Sequence, residues 1–227
     1  AYSFILSDVN NCGQDTLKGS VTCSCVTNAG TLSQTPLMLC ADQAVNIALS
    51  AGPVLDPNDT LIYMLVTTPN PATWTIIATS TSPNFSFNPG TMTPNTSYYV
   101  VAVAGNILGN SIDFTDLCLS VAKGPTVLWH PVVTATLSGA ATICSGASAN
   151  LTVQFTGDGP FTFTYSANST QLQVTTSQNP YVLPVSPSVT TTYNLLSVSG
   201  AGNCAGTVSG SATVTVNILQ VLNVQTI

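Results

Sequence analysis

The chain has 227 residues, a length typical of about two domains. Charged residues make up only 4% of it, with two Lys against eight Asp and neither Arg nor Glu, so the net charge is −6 and the pI is near 4.1. Because proteins bind nucleic acid through Lys and Arg that neutralise phosphates, this composition argues against a nucleic-acid partner. A single His and the lack of Glu leave few groups for acid–base catalysis, so we do not expect an enzyme.

The first segment, residues 1–27, is similar to the end of a repeat rather than to its beginning. Tyr2-Ser3-Phe4-Ile5-Leu6, running on to Cys12, matches a later segment that runs from Tyr193 to Cys204. We therefore predict that residues 1–27 are the closing strands of a domain whose earlier strands are absent. Three apolar side chains would then face water and be available for pairing with another chain: Tyr2, Phe4 and Leu6.

Two fuller repeats follow, offset by 104 residues. Leu39-Cys40 precedes Asn46-Ile47-Ala48-Leu49 in the first repeat, and Ile143-Cys144 precedes Asn150-Leu151-Thr152-Val153 at the same spacing in the second. Each repeat later contains a strand that begins with the pattern Thr-x-Tyr. The tyrosine of this pattern is Tyr98 in the first repeat and Tyr193 in the second. Self-similarity at a fixed period indicates an array of like modules.

Both repeats are predicted to consist almost wholly of β-strands, because runs of Val, Thr, Ile and Tyr alternate with Gly, Pro, Asn and Asp breaks. Central strands of the first repeat are predicted at 61–66 and 74–78, and its penultimate strand at 98–104. Strands of the second are predicted near 132–138, 148–156, 160–166, 170–175, 180–184, 190–199 and 206–216.

About seven strands per repeat at this spacing indicate an all-β fold of tandem immunoglobulin-like (Ig-like) β-sandwiches with incomplete terminal strands. The predicted divisions are closing strands of a partial Ig-like domain at 1–27, Ig-like domains at 28–130 and 131–217, and a terminal strand at 218–227. That last strand would pair with a neighbouring domain or lead into one.

Tyr98 lies in a segment typical of an Ig-like corner. Met92-Thr93-Pro94-Asn95 leads into the strand that carries it, as in a tyrosine corner, where the phenol bonds to nearby backbone. The alternative is an ordinary strand tyrosine, and recurrence of the pattern at Tyr193 favours the corner.

The connection between the repeats is predicted to be short and stiff. Val121-Ala122-Lys123-Gly124-Pro125 is expected to end the first repeat and Trp129-His130-Pro131 to introduce the second. Junctions that contain proline hold neighbouring domains at a fixed angle, which favours a rod over loosely tethered beads.

Seven cysteines indicate an oxidising compartment. Since each repeat has one Cys near its opening strand and one near its closing strand, we predict two intradomain disulfides, Cys40–Cys118 and Cys144–Cys204. Cys12 would pair with Cys23, with Cys25 or with a partner outside this sequence, and an odd count leaves one thiol free or bonded to another chain. Cys23-x-Cys25 lacks the spacing of zinc ligands, so zinc is not expected.

Calcium is the one metal that the sequence brings into consideration. Asp56, Asn58 and Asp59 form one oxygen-rich turn, and Asp113 and Asp116 form another that the fold could bring close to it. Carboxylate and amide oxygens are the ligands that Ca²⁺ prefers. The alternative is turn chemistry alone, because Asp-Pro-Asn-Asp is a good turn sequence without an ion.

The last segment, 218–227, is predicted to be the first strand of a further domain. Together with the apolar residues of 1–27, it would let copies or adjacent repeats join head to tail by strand addition. The sparse surface charge gives little repulsion between copies and suits permanent assembly or a glycan coat. The assembly residues predicted in this segment are Ile218, Leu219, Val221, Leu222 and Val224.

With these residues in view, the chain resembles the Ig-like and PKD-like repeats of giant cell-surface adhesins and filaments of Bacteroidota, which use type IX secretion. The resemblance rests on Cys144, Tyr193 and Cys204 with Gly159-Pro160-Phe161-Thr162-Phe163-Thr164-Tyr165, and on Leu55-Asp56-Pro57-Asn58-Asp59 in the first repeat. It implies an extracellular, cell-surface location. It also implies O-glycosylation at Asp-Thr-Leu triplets, here at Thr16 and Thr60.

The sequence therefore predicts a structural repeat or subunit of an extracellular filament, held by strand completion and disulfides, with copies of itself or adjacent repeats as partners. The alternative is an adhesin module that binds glycans or surfaces. Its basis is a set of strand threonines that could present hydroxyls to a sugar: Thr134, Thr136, Thr162, Thr164, Thr213 and Thr215. No segment approaches the roughly 20 apolar residues that a membrane span needs.

Overall fold

The computed structural model describes residues 2–7, 14–19, 25–109 and 111–218, and of the first two ranges it describes the backbone only. Within these ranges the regular structure is β apart from one short 3₁₀ turn, Ala201–Asn203. Strands are numbered β1 to β21 in chain order.

The first two strands form a separate antiparallel hairpin. β1 (Tyr2–Ser7) pairs with β2 (Gln14–Gly19), with Tyr2 opposite Gly19 and Ser7 opposite Gln14. Within the described ranges this two-stranded sheet is joined to no other strand. Phe4 and Leu6 lie on β1, and their side chains are outside the described structure.

Residues 29–130 form the first sandwich. Its larger sheet has the order β4-β12-β10-β7-β8, with β11 on β10, and its other layer consists of the short pairs β3–β6 and β5–β9. The strands are β3 Thr31–Leu32, β4 Leu37–Cys40, β5 Ala44–Asn46, β6 Leu49–Ala51, β7 Asp59–Val66, β8 Ile76–Ser80, β9 Asn84–Ser86, β10 Ser97–Leu108, β11 Ser111–Ile112 and β12 Ser120–His130.

The two central strands of this larger sheet are buried on both faces. One face of β7 and β10 packs into the inter-sheet core with Trp129, and the other forms a second apolar cluster under Trp74 and Leu119. Strands buried on both sides read as continuous apolar runs, which is why these segments show no alternation in sequence. The second cluster centres on Met64, Val66, Val101, Val103 and Ile112.

The stretch predicted to end the first repeat lies inside a strand. β12 is continuous through Gly124 and Pro125, and its register against β10 shifts there, so that these two residues face Val100 as a β-bulge. A Cβ on Gly124 would lie 2.5 Å from the Val100 carbonyl oxygen, so only glycine fits. The predicted linker is therefore shorter than expected, since the residues between β12 and the next strand are 131–133 alone.

Residues 133–217 form the second sandwich, with sheets β18-β15-β13-β20 and β14-β21-β19-β16-β17. Its strands lie within a few residues of the predicted ones, except β14, which was not predicted. They are β13 Thr134–Ser138, β14 Ala141–Cys144, β15 Ala149–Thr156, β16 Phe161–Ala167, β17 Thr170–Thr176, β18 Tyr181–Val185, β19 Thr191–Ser199, β20 Thr207–Ser209 and β21 Ser211–Asn217.

The segment predicted as one last strand divides in two at Gly210. This residue has φ +79°, a conformation that glycine adopts without strain, and the chain passes there from one sheet to the other. β15 alternates buried and outward residues along its whole length, and Phe163 and Leu151 are fully buried in the core between the sheets. The buried residues of the two sandwiches lie on either side of the predicted boundary between 130 and 131.

Candidate functional site at the junction of the two sandwiches

A disulfide bond joins the two sandwiches. Cys40 is the last residue of β4, and Cys204 follows the 3₁₀ turn in the loop between β19 and β20. Their Cα atoms are 5.4 Å apart although the residues are separated by 164 positions in sequence. Both cysteines are buried, Cys40 at 7% and Cys204 at 0% exposure. Together with residues 131–133, the bond gives the sandwiches two covalent connections.

The predicted Cys40–Cys118 bond is therefore wrong, for a reason of distance. Cys40 lies opposite His130 at the end of β12, whereas Cys118 lies just before that strand begins. β12 has eleven residues, and at about 3.3 Å per residue the two cysteines are roughly 30 Å apart. Disulfides require Cα atoms within about 7 Å.

The predicted Cys144–Cys204 bond is wrong for the same reason. Cys144 lies opposite Asn217, the last residue of β21. Cys204 precedes β20, at the other end of the second sandwich. Cys144 is exposed and is the free cysteine among the residues that the structure describes.

Cys118 is bonded to Cys25, with Cα atoms 5.2 Å apart. This bond attaches the segment before the first sandwich to the loop between β11 and β12. It rules out the proposed pairing of Cys25 with Cys12. Cys12 and Cys23 lie outside the described residues, so their pairing stays a prediction.

Hydrogen bonds cross the junction beside the Cys40–Cys204 bond. Nδ1 of His130 lies 2.8 Å from Oδ1 of Asn95, whose Nδ2 donates to the carboxylate of Asp158 in the second sandwich. Because the amide oxygen can only accept, Nδ1 of His130 carries the hydrogen. His130 was expected in the linker that introduces the second repeat, and it instead ends β12 and begins this chain of hydrogen bonds.

Gly202 allows the loop of the second sandwich to approach the imidazole ring. It has φ +66°, and a Cβ placed on it would lie 2.6 Å from Cδ2 of His130. The N–H of Ala201 donates to the carbonyl oxygen of Asp158 at 2.9 Å, which holds the loop in place. A side chain at 202 would displace the ring or the loop.

Trp129 fixes the first sandwich's side of the junction. Its fully buried ring packs at 6.1 Å from Tyr98, and its indole N–H donates to the carbonyl oxygen of Gln43 at 3.1 Å. Its own carbonyl oxygen accepts from the N–H of Asn95 at 2.8 Å. Asn95 has φ +60°, which Asn tolerates better than most residues.

The tyrosine corner is present at Tyr98. Its phenol oxygen accepts the N–H of Thr93 at 2.8 Å. Tyr193 occupies the corresponding strand position, and its hydroxyl makes no hydrogen bond to any residue that the structure describes. Its ring packs at 6.4 Å from Tyr165, and burial raises the pKa of both phenols.

The candidate calcium residues lie at the opposite end of the first sandwich. Asp59 is opposite Asn106 in the β7–β10 pair, and Oδ2 of Asp116 accepts the Asn106 N–H at 2.8 Å, so the two predicted turns do meet. The Asn106 and Cys118 N–H groups lower the pKa of Asp116.

Asp56 and Asp113 accept hydrogen bonds within their own turns, whereas Oδ1 of Asp59 is buried without a hydrogen-bond partner among the described residues. Asp113 accepts from Thr115, and Asp56 accepts the N–H of Asn58. Within 25–109 and 111–218, no three Asp, His or Cys side chains converge as metal ligands do. Calcium stays a prediction.

The remaining predicted residues lie away from the junction. Thr60 is half-buried on β7 beside Asp59, whose carboxylate accepts from Thr27. Thr16 lies on β2 with its side chain outside the described structure. Ile218 is 76% exposed after β21. Leu219, Val221, Leu222 and Val224 lie outside the described residues.

Sequence reasoning missed Asn95, Asp158 and Gly202. Short polar residues and glycines abound in every loop of this chain, and no local pattern pairs residues 63 positions apart.

One family model matches the second sandwich. Residues 133–214 match the model described as Nucleoporin POM152, Ig-like domain. The protein thus has an all-β, Ig-like sandwich fold, as the sequence predicted. No curated protein matches the chain. The type IX and Bacteroidota origin that the resemblance implied is not among the features matched.

The solved structures to which the chain is similar contain Ig domains and have low sequence identity to it. They include the N-terminal four Ig domains of Dscam1 isoform 4.44 (13% identity, 84% of this chain and 45% of that one, TM-score 0.40). The I67–I69 fragment of titin is another (8% identity, 84% and 64%, TM-score 0.42). A third is Dpr11 IG1 bound to DIP-gamma IG+IG2 (11% identity, 83% and 96%, TM-score 0.39). The chain spans less than two thirds of the first two.

No helix in the described part of the chain has the length and apolar character needed to cross a membrane. Proteins with an Ig-like fold generally act as binding or structural modules rather than as enzymes.

Proposed function

We propose that this chain is a structural repeat or subunit of an extracellular surface filament, in which consecutive Ig-like sandwiches are locked at a fixed angle and joined head to tail. The observation that carries the proposal is the Cys40–Cys204 bond, which links one sandwich to the next rather than closing either one. A disulfide confined to one sandwich would stabilise that module alone. A disulfide between modules determines how they are arranged.

Two covalent connections restrict a junction more than one does. A three-residue connection alone lets neighbouring domains rotate about it, whereas a second bond on β4 removes most of that freedom. The His130–Asn95–Asp158 hydrogen bonds and the close packing of Gly202 then restrict what remains. Stiffness of this kind serves a rod that projects from a surface and bears tension.

Head-to-tail joining in this proposal uses the ends of the described structure. β1 and β2 form a hairpin joined to no other described strand, and such hairpins need further strands or packing for stability. Ile218 leaves β21 with its side chain exposed. Strand addition at these places would involve Tyr2, Phe4, Leu6, Ile218, Leu219, Val221, Leu222 and Val224.

The location in this proposal is the oxidising exterior of the cell. Two disulfides among the described cysteines support it, since such bonds persist outside reducing compartments. O-glycosylation at Thr16 and Thr60 belongs to the same proposal and would add polar cover to a surface with few charges.

Four of the six threonines that suggested an adhesin bond to a hydroxyl on a neighbouring strand, with Thr136 bonded to Ser209 at 3.0 Å. Thr134 bonds to Thr156 at 2.7 Å, Thr162 to Thr175 at 2.9 Å, and Thr213 to Thr192 at 3.1 Å. Hydroxyls paired across neighbouring strands support the sheet itself. This pairing favours the structural role over a sugar-binding platform, which a glycan array of the monomeric chain would test directly.

Small-angle X-ray scattering of the full chain tests the locked junction. We expect the Cys40→Ser/Cys204→Ser variant to give a broader distribution of interatomic distances than the parent, because one connection is gone. The matched control is Cys25→Ser/Cys118→Ser, which removes the other disulfide and should leave the spacing of the sandwiches unchanged. Identical curves for the first variant and the parent would refute the role of the bond.

Electron microscopy of native material tests the filament. The expected result is a set of thin fibres or projecting rods with a uniform axial repeat of the size of one Ig-like sandwich. Dispersed particles of two sandwiches, with no end-to-end contacts, would overturn the proposal.

A further inference from the structure

Cys144 occupies the same position in the second sandwich that Cys40 occupies in the first. β4 and β14 are four-residue strands that end on these cysteines, and each runs parallel to the last strand of its sandwich. Cys40 lies opposite His130, and Cys144 lies opposite Asn217. Each partner is the last residue of its sandwich's closing strand.

The turns that follow the two cysteines have the same hydrogen bonds. The N–H of Ala41 donates to the His130 carbonyl oxygen at 2.9 Å, and that of Ser145 donates to the Asn217 carbonyl oxygen at 3.0 Å. A second bond then returns to the carbonyl oxygen of each cysteine, at 2.8 Å from Gln43 and at 3.0 Å from Ala147. Because backbone and register agree, the two Cα–Cβ bonds point in corresponding directions, toward the following sandwich.

Cys40 and Cys144 differ in their exposure to solvent. Cys40 is buried because the second sandwich covers it and supplies Cys204, while Cys144 is exposed. The loop that supplies Cys204 follows β19, the strand that carries Thr191-Thr192-Tyr193. The first sandwich uses the corresponding loop in the same way, since Cys118 lies between β11 and β12 and bonds backward to Cys25. In both described cases a loop cysteine before the closing strand bonds to a cysteine on the N-terminal side of its sandwich, which is Cys25 for Cys118 and Cys40 of the first sandwich for Cys204.

We infer that Cys144 is the forward half of an inter-module disulfide, and that its partner is the loop cysteine of the next Ig-like module in head-to-tail order. This inference rests on the proposed function, since it requires such a module. The partner cysteine lies in the loop after a Thr-x-Tyr or Ser-x-Tyr strand, in the position of Cys204.

The bond forms by oxidation of two thiols. The S–S bond replaces two S–H bonds, and the two protons and two electrons pass to the disulfide of a thiol–disulfide oxidoreductase, which becomes a dithiol. Attack by a thiolate requires an accessible cysteine, and the exposure of Cys144 meets that condition.

Mass spectrometry of native material tests the inference. Thiols are blocked with N-ethylmaleimide before lysis, and the unreduced protein is digested with pepsin at low pH, where disulfides do not exchange. We expect the peptide that contains Cys144 to be linked to a peptide with a cysteine after a Thr-x-Tyr or Ser-x-Tyr strand. Electrophoresis with and without reductant then places the partner: a fall in mass on reduction indicates a separate polypeptide, and an unchanged mass indicates a later module of the same polypeptide.

Two variants in the producing cells provide the controls. Cys144→Ser should abolish the linked peptide and leave the Cys25–Cys118 and Cys40–Cys204 bonds intact. Cys144→Ser/Ser145→Cys keeps an exposed thiol one residue further along the loop and should not restore the link.

An N-ethylmaleimide adduct on Cys144, a bond to Cys12 or Cys23 of its own chain, or a bond to a small thiol would overturn the inference. Fibres of uniform repeat with Cys144 blocked as a thiol would refute this bond alone and leave the filament standing. Failure of the filament would instead appear in the microscope as separate particles.

Discussion

The two sandwiches arise from different sequence patterns although they share one fold. In the second, β15 and β16 alternate buried and outward residues, and two extended sheets enclose a single core. In the first, β7 and β10 are buried on both faces, and the layer opposite the large sheet is reduced to the short pairs β3–β6 and β5–β9. The family model matches the second sandwich, at 133–214.

The additional layer explains how the first sandwich compensates for its short second sheet. Trp74 packs over the outer face of the large sheet and meets Phe114 edge to face at 6.1 Å. Apolar side chains that a fuller second sheet would have covered between the two layers are buried instead on the outer face of the large sheet. The largest predicted effect follows from this difference.

Met64→Ala should lower the free energy of unfolding of the first sandwich by about 2–5 kcal/mol, because the side chain is fully buried in the outer cluster. Thr164, on the outward face of β16, is the matched position in the second sandwich, and Thr164→Ala should cost less than about 0.5 kcal/mol. Both tryptophans, Trp74 and Trp129, lie in the first sandwich, so Trp fluorescence in denaturant reports on that sandwich. Calorimetry measures the unfolding of the Thr164→Ala control, because the second sandwich has no Trp. A change below 1 kcal/mol for Met64→Ala would show that the outer cluster is not a core.

The β-bulge in β12, the closing strand of the first sandwich, gives the next prediction. Gly124→Ala should destabilise the first sandwich by about 1–3 kcal/mol, because the new methyl would lie 2.5 Å from the Val100 carbonyl oxygen and 2.9 Å from Cδ1 of Leu32. The control is Gly52→Ala in the same sandwich, where a Cβ meets nothing within 4 Å. That variant should be unchanged or up to about 1 kcal/mol more stable. Trp fluorescence measures both, and equal effects would contradict the bulge geometry.

The two strand tyrosines predict a smaller difference. Tyr98→Phe removes the acceptor for the Thr93 N–H and should cost about 0.5–1.5 kcal/mol. Tyr193→Phe removes a hydroxyl that bonds to no residue in the described ranges, so its effect should be near zero. Denaturant unfolding, followed by Trp fluorescence for the first variant and calorimetry for the second, checks the pair. Equal losses would mean that the corner does not distinguish the sandwiches.

The strands and the Ig-like fold could be predicted because they depend on local pattern. Breaks at Gly and Pro placed most of the second sandwich's strands within a few residues. The four-residue strand β14 was missed, and the division at Gly210 depended on a change of sheet that no short window contains. The disulfides could not be predicted from the repeat, because pairing depends on which end of a strand meets the neighbouring module. Asn95 and Asp158 meet only through that same tertiary contact.

The smallest predicted effect is the pH dependence at the acidic end of the first sandwich. Hydrogen bonds from the Asn106 and Cys118 N–H groups lower the pKa of Asp116 below its ordinary value of 3.8. Because the folded-state pKa is the lower one, the carboxylate stabilises the fold above pH 3.8, and this stabilisation is lost as the pH falls through the folded-state pKa. Asp116→Asn should therefore melt at a slightly lower temperature than the parent at pH 7, and the two should converge in acid. Asp42→Asn, in an exposed turn, should keep the parent's pH profile. A chelator added at pH 7 tests the calcium prediction in the same melts. If the chelator lowers the melting temperature of the parent but not that of Asp116→Asn, an ion, rather than the two N–H groups alone, holds this carboxylate.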